Sequence, residues 1–411
     1  MTSVFLGFAF AYFLSALLRA VTATLAPIFS RELGLLPGDL GLLAGAYFFG
    51  FAAMQLPLGR ALDRYGAKRV LLALLCVAVI GCLAFAQARS IGALVAARAL
   101  IGVGVAACLM APLTCYRQTL SPQAQLRANS WMLMTGSLGM VASTLPVQWL
   151  LPLLGWRGLF VGVALMLGLA IAAIAMVVPR DQPATPSANV PALGYRQIVA
   201  HPLFLRMAPL GFTLYGGLIA MQSLWAGPWL TRVAGWPETA AAGGLFFINL
   251  CMLVTFMSWG VVLPRLAARG WGAVRVITYG TPLSLLVLAV NLLLGPAAGA
   301  GHWAAWCVLS TVVTLSQPAV GQAFPPSAAG RALSAFNLVI FGGVFVVQWS
   351  IGLAIEWLLR GGSSELQAFR WAMGGFWACC TLAYAWFVFG SAWATQKAPV
   401  QAFKHPPDNV T

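Results

Sequence analysis

The chain has 411 residues, of which 61% are hydrophobic and only 8% charged, and its mean hydropathy is +0.89. A soluble domain is about half apolar and about a quarter charged, so this composition excludes a soluble globular protein and describes a polytopic membrane protein. The net charge of +15 does not mark a nucleic-acid binder, because the cations sit in short segments between apolar runs, where they set topology, and no basic patch with interleaved aromatics occurs.

Crossing the hydrocarbon takes roughly 20 apolar residues per helix, which leaves room for about a dozen spans. The apolar runs predict twelve helices: 4–29, 40–60, 69–88, 92–114, 128–152 and 158–178, then 205–231, 239–264, 272–295, 303–325, 332–357 and 368–393. The first run is too long for the core of a cleavable signal peptide and is read as a span that also directs insertion. Pro179, Pro183, Pro186, Pro191 and Pro202 crowd the stretch between the halves, which is read as a cytoplasmic linker. The expected fold is an all-α membrane protein with twelve transmembrane helices in two pseudo-symmetric six-helix bundles. Its expected parts are bundles 1–178 and 205–394, linker 179–204 and a cytoplasmic tail 395–411. A trace of internal duplication survives in Gly59-x-x-Leu62-Asp63-Arg64 against Gly260-x-x-Leu263-Pro264-Arg265.

With the N-terminus cytoplasmic, fifteen of the 23 lysines and arginines fall in cytoplasmic loops and the tail. Six fall outside (Arg31, Arg89, Arg157, Arg232, Arg360 and Arg370), and Arg19 and Arg98 lie within spans. This bias predicts that both termini are cytoplasmic, in a bacterial inner membrane.

The cysteines and histidines show no metal-ligand spacing, and no cofactor or metal is expected. No buried acid–base pair or activated nucleophile suggests an enzyme. All eight carboxylates fall in loops, the tail or at helix ends, so none is predicted deep enough to titrate as proton-coupling groups commonly do. Arginine is what the spans contain. Arg19 lies near the middle of the first helix, where a charge costs at least roughly 2.5–3.5 kcal/mol on insertion scales. Tyr12, Ser15, Arg19 and Thr22 share one helical face, which must look into the protein or a watered cavity. Arg19 either holds an anionic group, for which guanidinium is the matching fork, or binds carbonyls and ties helices together. Arg98 has the same alternatives, with a structural or gating role favoured. Tyr215, Gln222 and Trp225 of the seventh helix, Asn249 of the eighth, Gln317 of the tenth and Gln348 of the eleventh are further deep polar or amphipathic residues. Each alone is more often an interhelical hydrogen bond than a ligand contact, yet together they could line one cavity.

The densest cluster of charge is Gly59-Arg60-Ala61-Leu62-Asp63-Arg64-Tyr65-Gly66-Ala67-Lys68-Arg69, predicted as a tight reversal between the second and third helices. Its G-x-x-x-D-R-x-G-x-K-R pattern resembles the signature loop of the major facilitator superfamily of transporters. Arg98-x-x-x-Gly102-x-Gly104 is similar to that family's fourth-helix pattern. The resemblance implies secondary transport by alternating access, with Gly59, Arg60, Asp63, Arg64, Gly66, Lys68 and Arg69 at the inner gate. It also implies that the first, fourth, seventh and tenth helices surround the path, so that Arg19, Tyr215, Gln222 and Gln317 converge. From Arg19 to Arg69, pieces such as Ala46-Tyr47-Phe48 and Gln55-Leu56-Pro57-Leu58-Gly59 resemble the anion:cation symporter branch. That likeness implies organic-anion recognition and adds Tyr47 to the expected substrate residues. Leu18 and Val105 stand where that branch typically has acids, which sets standard proton symport in question. The expected partners are a small anionic substrate, the lipid bilayer and a coupling ion (a proton or an exchanged anion), with the chain monomeric. Efflux of amphipathic compounds is the alternative, and a transporter-like receptor the third reading.

Overall fold

The structure is a computed structural model that describes residues 2–179 and 193–390. The side chains of Asp63, Arg117, Gln118, Pro122, Gln123, Leu126, Pro326 and Ser327 lie outside the described part, as do most of the expected linker and the tail from 391.

In hydrocarbon every backbone group must bond within its own segment, so apolar runs of this length become helices. The first half comprises α1 (Thr2–Leu33), α2 (Pro37–Ala53, continuing Gln55–Tyr65), α3 (Ala67–Gln87), α4 (Ile91–Val105, continuing Ala107–Thr119), α5 (Pro122–Ala142, continuing 145–154) and α6 (156–177). The second comprises α7 (Pro202–Val233), α8 (Glu238–Ala268), α9 (Ala273–Leu294), α10 (Ala300–Gln322), α11 (Pro326–Arg360) and α12 (Glu365–Phe389). Among the described residues, eleven helices are long and apolar enough to cross a membrane. The twelfth, α5, is more polar and is broken at Ser143 and Thr144. Pro146 explains the break, since its ring removes a donor and displaces the carbonyl four residues back. The freed hydroxyls fold onto their own helix, Ser143 to the Met140 carbonyl and Thr144 to the Val141 carbonyl, both at 2.6 Å.

Three expectations change. The reversal after α2 is not an eight-residue loop: helix continues to Tyr65 and resumes at Ala67, and Gly66 alone makes the turn at φ 83°, a conformation open mainly to glycine. Likewise Gly155, at φ 62°, is the whole connection between α5 and α6. The described end of the linker is not irregular either, for Tyr195–Val199 is helical and Pro202 already begins α7.

Small residues decide how the helices meet. A Cβ on Gly102 of α4 would overlap the Tyr47 carbonyl of α2, and one on Gly104 would overlap Ala78 of α3, so α4 is wedged between those two helices. Pro27 leaves the Ala23 carbonyl without its helical donor, and Gly227 of α7 packs against that carbonyl. The longest contact between halves is α2 along α11. Gly41 meets the Gln348 carbonyl, Gly45 meets Phe345 and Gly352 meets the Pro37 carbonyl. Below them Phe51 packs against Phe341 with the rings tilted by 57° and 4.5 Å between their centres, and Asn337 of α11 donates to Gln55 Oε1 of α2 at 3.3 Å.

We expect Gly102→Ala to force α2 and α4 apart and to lower stability by about 1–3 kcal/mol, the usual effect of overpacking. Thermal unfolding of the purified protein in one detergent would read this, with Gly92→Ala, where a Cβ meets nothing within 4 Å, as the near-neutral control.

Candidate functional site

Arg19 sits midway along α1, half-buried. Its guanidinium faces the phenol groups of Tyr12 on its own helix, Tyr47 on α2 and Tyr215 on α7. The rings of Phe51 and Phe341 flank it, with centroids 5.7 and 5.8 Å from the guanidinium carbon. Tyr47 donates its hydroxyl to the Ser15 carbonyl at 3.1 Å, so its oxygen turns lone pairs toward the cation. The Arg19 Nε has no hydrogen-bond partner, and among the described residues no carboxylate pairs with this arginine. The site is therefore a cation held by aromatic faces and phenol oxygens, with residues from both halves around it. Cation–π contact supplies about 0.5–2 kcal/mol per ring, more as water is excluded, which stabilises the charge without neutralising it.

Arg98 on α4 is a different kind of cation. It is 1% exposed, donates to the Leu18 carbonyl at 2.9 Å and also to the Thr22 hydroxyl. Its guanidinium carbon lies 5.5 Å from the Tyr47 ring centre. It ties α4 to α1 at the residue before Arg19 and at the one about a turn after it, behind the tyrosine that faces Arg19.

The structure brings Tyr47 and Tyr215 to Arg19, as well as Tyr12, Phe51 and Phe341, which were not among the expected substrate residues. A signal for the two phenylalanines existed: Phe51 lies one turn after Tyr47, and Phe341 lies two turns before Gln348. The other expected residues hydrogen-bond elsewhere. Gln222 donates to Asn249 Oδ1 at 2.8 Å, Gln348 donates to Ser223 at 2.9 Å and the Trp225 indole donates to the Gln348 carbonyl at 3.1 Å. These contacts join α7 to α8 and α11. Gln317 donates to Asn337 Oδ1 at 2.5 Å and so joins the Gln55 link between α2 and α11. Among the described residues none of these five, Asn249 included, hydrogen-bonds Arg19.

The charged segment around Gly66 also sorts itself. Lys68 donates to the Ala175 and Val178 carbonyls, at 2.8 and 2.5 Å, and caps the C-terminus of α6, where a cation is favoured. Arg60 and Arg64 are exposed, Arg64 lying 5.2 Å from the ring of its neighbour Tyr65. Gly59 comes within van der Waals reach of Ser334 on α11. Arg69 is exposed at the start of α3, while the expected contacts of Asp63 fall outside the described residues.

Twelve helices in two sets, with a mid-span arginine between them that pairs with no carboxylate among the described residues, have the architecture of a membrane transport protein. The chain belongs to the Major Facilitator Superfamily, whose profile matches residues 8–348. It is similar in fold to a bacterial homologue of the human lysosomal transporter Spinster, with 18% identity, coverage of 97% of this chain and 98% of that one, and a TM-score of 0.76. The D-xylose–proton symporter is a further structural relative, with 14% identity, 97% and 98% coverage and a TM-score of 0.72. In sequence, a stretch of 93 residues is 32% identical to a probable sulfoacetate transporter, SauU, of Cupriavidus necator. That stretch is 23% of this chain and spans 22% of the relative's length.

Replacing Arg98 with glutamine removes the fork that joins α4 to α1 and leaves buried partners unmet, at about 1–3 kcal/mol. We expect a lower melting temperature with ligand response retained. A variant that melts normally but loses ligand response would instead put Arg98 at the substrate.

Proposed function

We propose that the chain is a secondary transporter for a small organic anion, bound at Arg19 and carried by alternating access. One observation supports this most: a half-buried guanidinium in mid-span whose surroundings are aromatic and phenolic and, among the described residues, contain no ion-paired carboxylate. A buried charge is normally paired, and this arginine meets phenol oxygens while its Nε has no partner, which leaves donor capacity for a carboxylate or sulfonate. Tyr12 and Tyr215 have hydroxyls that can donate to the remaining oxygens of such a ligand, the Tyr47 proton being given to the Ser15 carbonyl. The partial match to a probable sulfoacetate transporter is consistent with an acid-bearing substrate.

In this reading the bundles 1–178 and 205–394 rock about the Arg19 site, the stretch 179–204 tethers them, and the segment Gly59 to Arg69 governs the face on which Lys68 caps α6. The charge bias places that face and both termini in the cytoplasm, in the inner membrane. With no carboxylate facing Arg19, an exchanged anion serves as counter-substrate more readily than a proton carried by a buried acid. A single chain contains both halves of the site, so the monomer is the working unit.

The test is thermal stability of the purified protein against a panel of carboxylates, sulfonates and phosphates, for the native chain and for Arg19→Gln. A ligand that binds only the folded state raises its melting temperature. We expect one acid class to do so in the native chain and to lose about 10- to 100-fold in affinity in the variant, as befits a charge-assisted bond. Equal responses of the two proteins, or stabilisation by lipophilic compounds alone, would sink the anion reading and favour efflux. Binding without flux in proteoliposomes would favour a receptor.

A further inference from the structure

Away from Arg19, a cavity of about 310 Å³ opens between the ends of α1 and α7, with Arg31, Arg232 and Glu238 in its wall. A narrower pocket sharing Pro27, Thr231 and Glu238 with it runs on along α1 as far as Thr24 and Ala23. At about 1.5 Å rise per residue, its inner end stands roughly one to one and a half turns from Arg19. The inner pocket has only about 10 Å³ and is a constriction, so the ligand-sized cleft is the outer cavity, with the constriction on its Arg19 side.

Its charges are unusual. Arg31 pairs with Glu238 at 2.7 Å, with side chains 65% and 36% exposed. Arg232 donates to Ser30 at 3.0 Å and lies 3.7 Å from Glu365. The wall therefore has two cations, one from each half, Arg31 seated on Glu238 of the wall and Arg232 facing Glu365 beside it. Exposed pairs of this kind are weak and exchangeable, so an anion that displaces the nearer carboxylate meets two guanidinium groups at once. The volume is at the lower end of small-molecule sites.

We propose that this cleft is a second anion site, an entry site at which a small organic anion takes the place of the Glu238 carboxylate on Arg31 and is also drawn by Arg232. Glu238 is then a built-in competitor. Because the Arg31–Glu238 pair joins α1 to α8, occupancy of the cleft also releases one link between the halves on this face. The substrate class rests on the anion reading above, but the site itself does not need Arg19.

Equilibrium dialysis of the purified full chain with radiolabelled sulfoacetate, and separately acetate, tests this in an Arg19→Gln background. The expected result is residual, weaker binding of at least one probe. Adding Arg31→Gln and Arg232→Gln together should weaken it at least tenfold, while the Arg31→Lys, Arg232→Lys pair retains it within a few fold, which separates charge from folding. Glu238→Gln should tighten it about two- to fivefold, the worth of an exposed ion pair. The cleft proposal is overturned if Arg19→Gln abolishes all binding, a result that leaves the central site standing. It is also overturned if the residual binding ignores the two glutamines, or if Glu238→Gln weakens it. Full binding in Arg19→Gln that is lost with the two cleft glutamines would support the cleft and reject Arg19. A native chain that binds neither probe overturns both.

Discussion

Two apolar helices in a bilayer gain little by exchanging lipid for each other, so close backbone approach has to supply the packing. In this chain that constraint falls on glycines. Gly102 and Gly104 set α4 between α2 and α3, Gly227 lets α7 reach α1 at the carbonyl freed by Pro27, and Gly41, Gly45 and Gly352 bring α2 onto α11. The first set shapes the first half and the wall behind Arg19, and the second joins the halves at α1 and α7. The last is the main contact across them. The position of every site residue follows from these approaches, since Tyr47 reaches Arg19 only because its helix lies so near α1 and α4.

The two arginines buried in the first half show how one residue type can do opposite work. Arg98 has a carbonyl and a hydroxyl within reach and is used up by them. Arg19 has rings and phenol oxygens and retains an unpartnered Nε. The difference is one of supply. The Leu18 carbonyl and the Thr22 hydroxyl of α1 are within reach of α4, while the Arg19 side chain meets α2, α7 and α11, which offer aromatics. A charge with satisfied donors holds helices together, whereas a charge with spare donors is a place for something else.

Much of the fold was legible. Apolar length gave the helices within a few residues, because a span has to satisfy its own backbone and so depends on little outside itself. Breaks were harder. The break at Met54 stands three residues before Pro57, the spacing that Pro146 has from Ser143, but that at Ala106 has no proline at this spacing and depends on what packs beside it, and Gly155 looks in sequence like any glycine of a long apolar run. In the site, Arg19 stood out because charge in a span is costly wherever its neighbours lie. Tyr47 and Tyr215 were among the expected residues. Phe51 and Phe341 were visible only as members of a helical face, one of many in a chain with 24 phenylalanines. The amides misled for a physical reason: Gln222 and Asn249 lie on neighbouring helices, as do Gln348 and Ser223. Which amide finds which partner is fixed by helix rotation, and a single sequence does not record it.

The seam between α2 and α11 has one more property. Where Gly41 lies on the Gln348 carbonyl and Gly352 on the Pro37 carbonyl, main chain rests on main chain, with no side chain between them to swing aside. Such a contact has no graded half-open form. Separating the halves along this seam therefore means lifting one helix backbone off the other and not turning a rotamer.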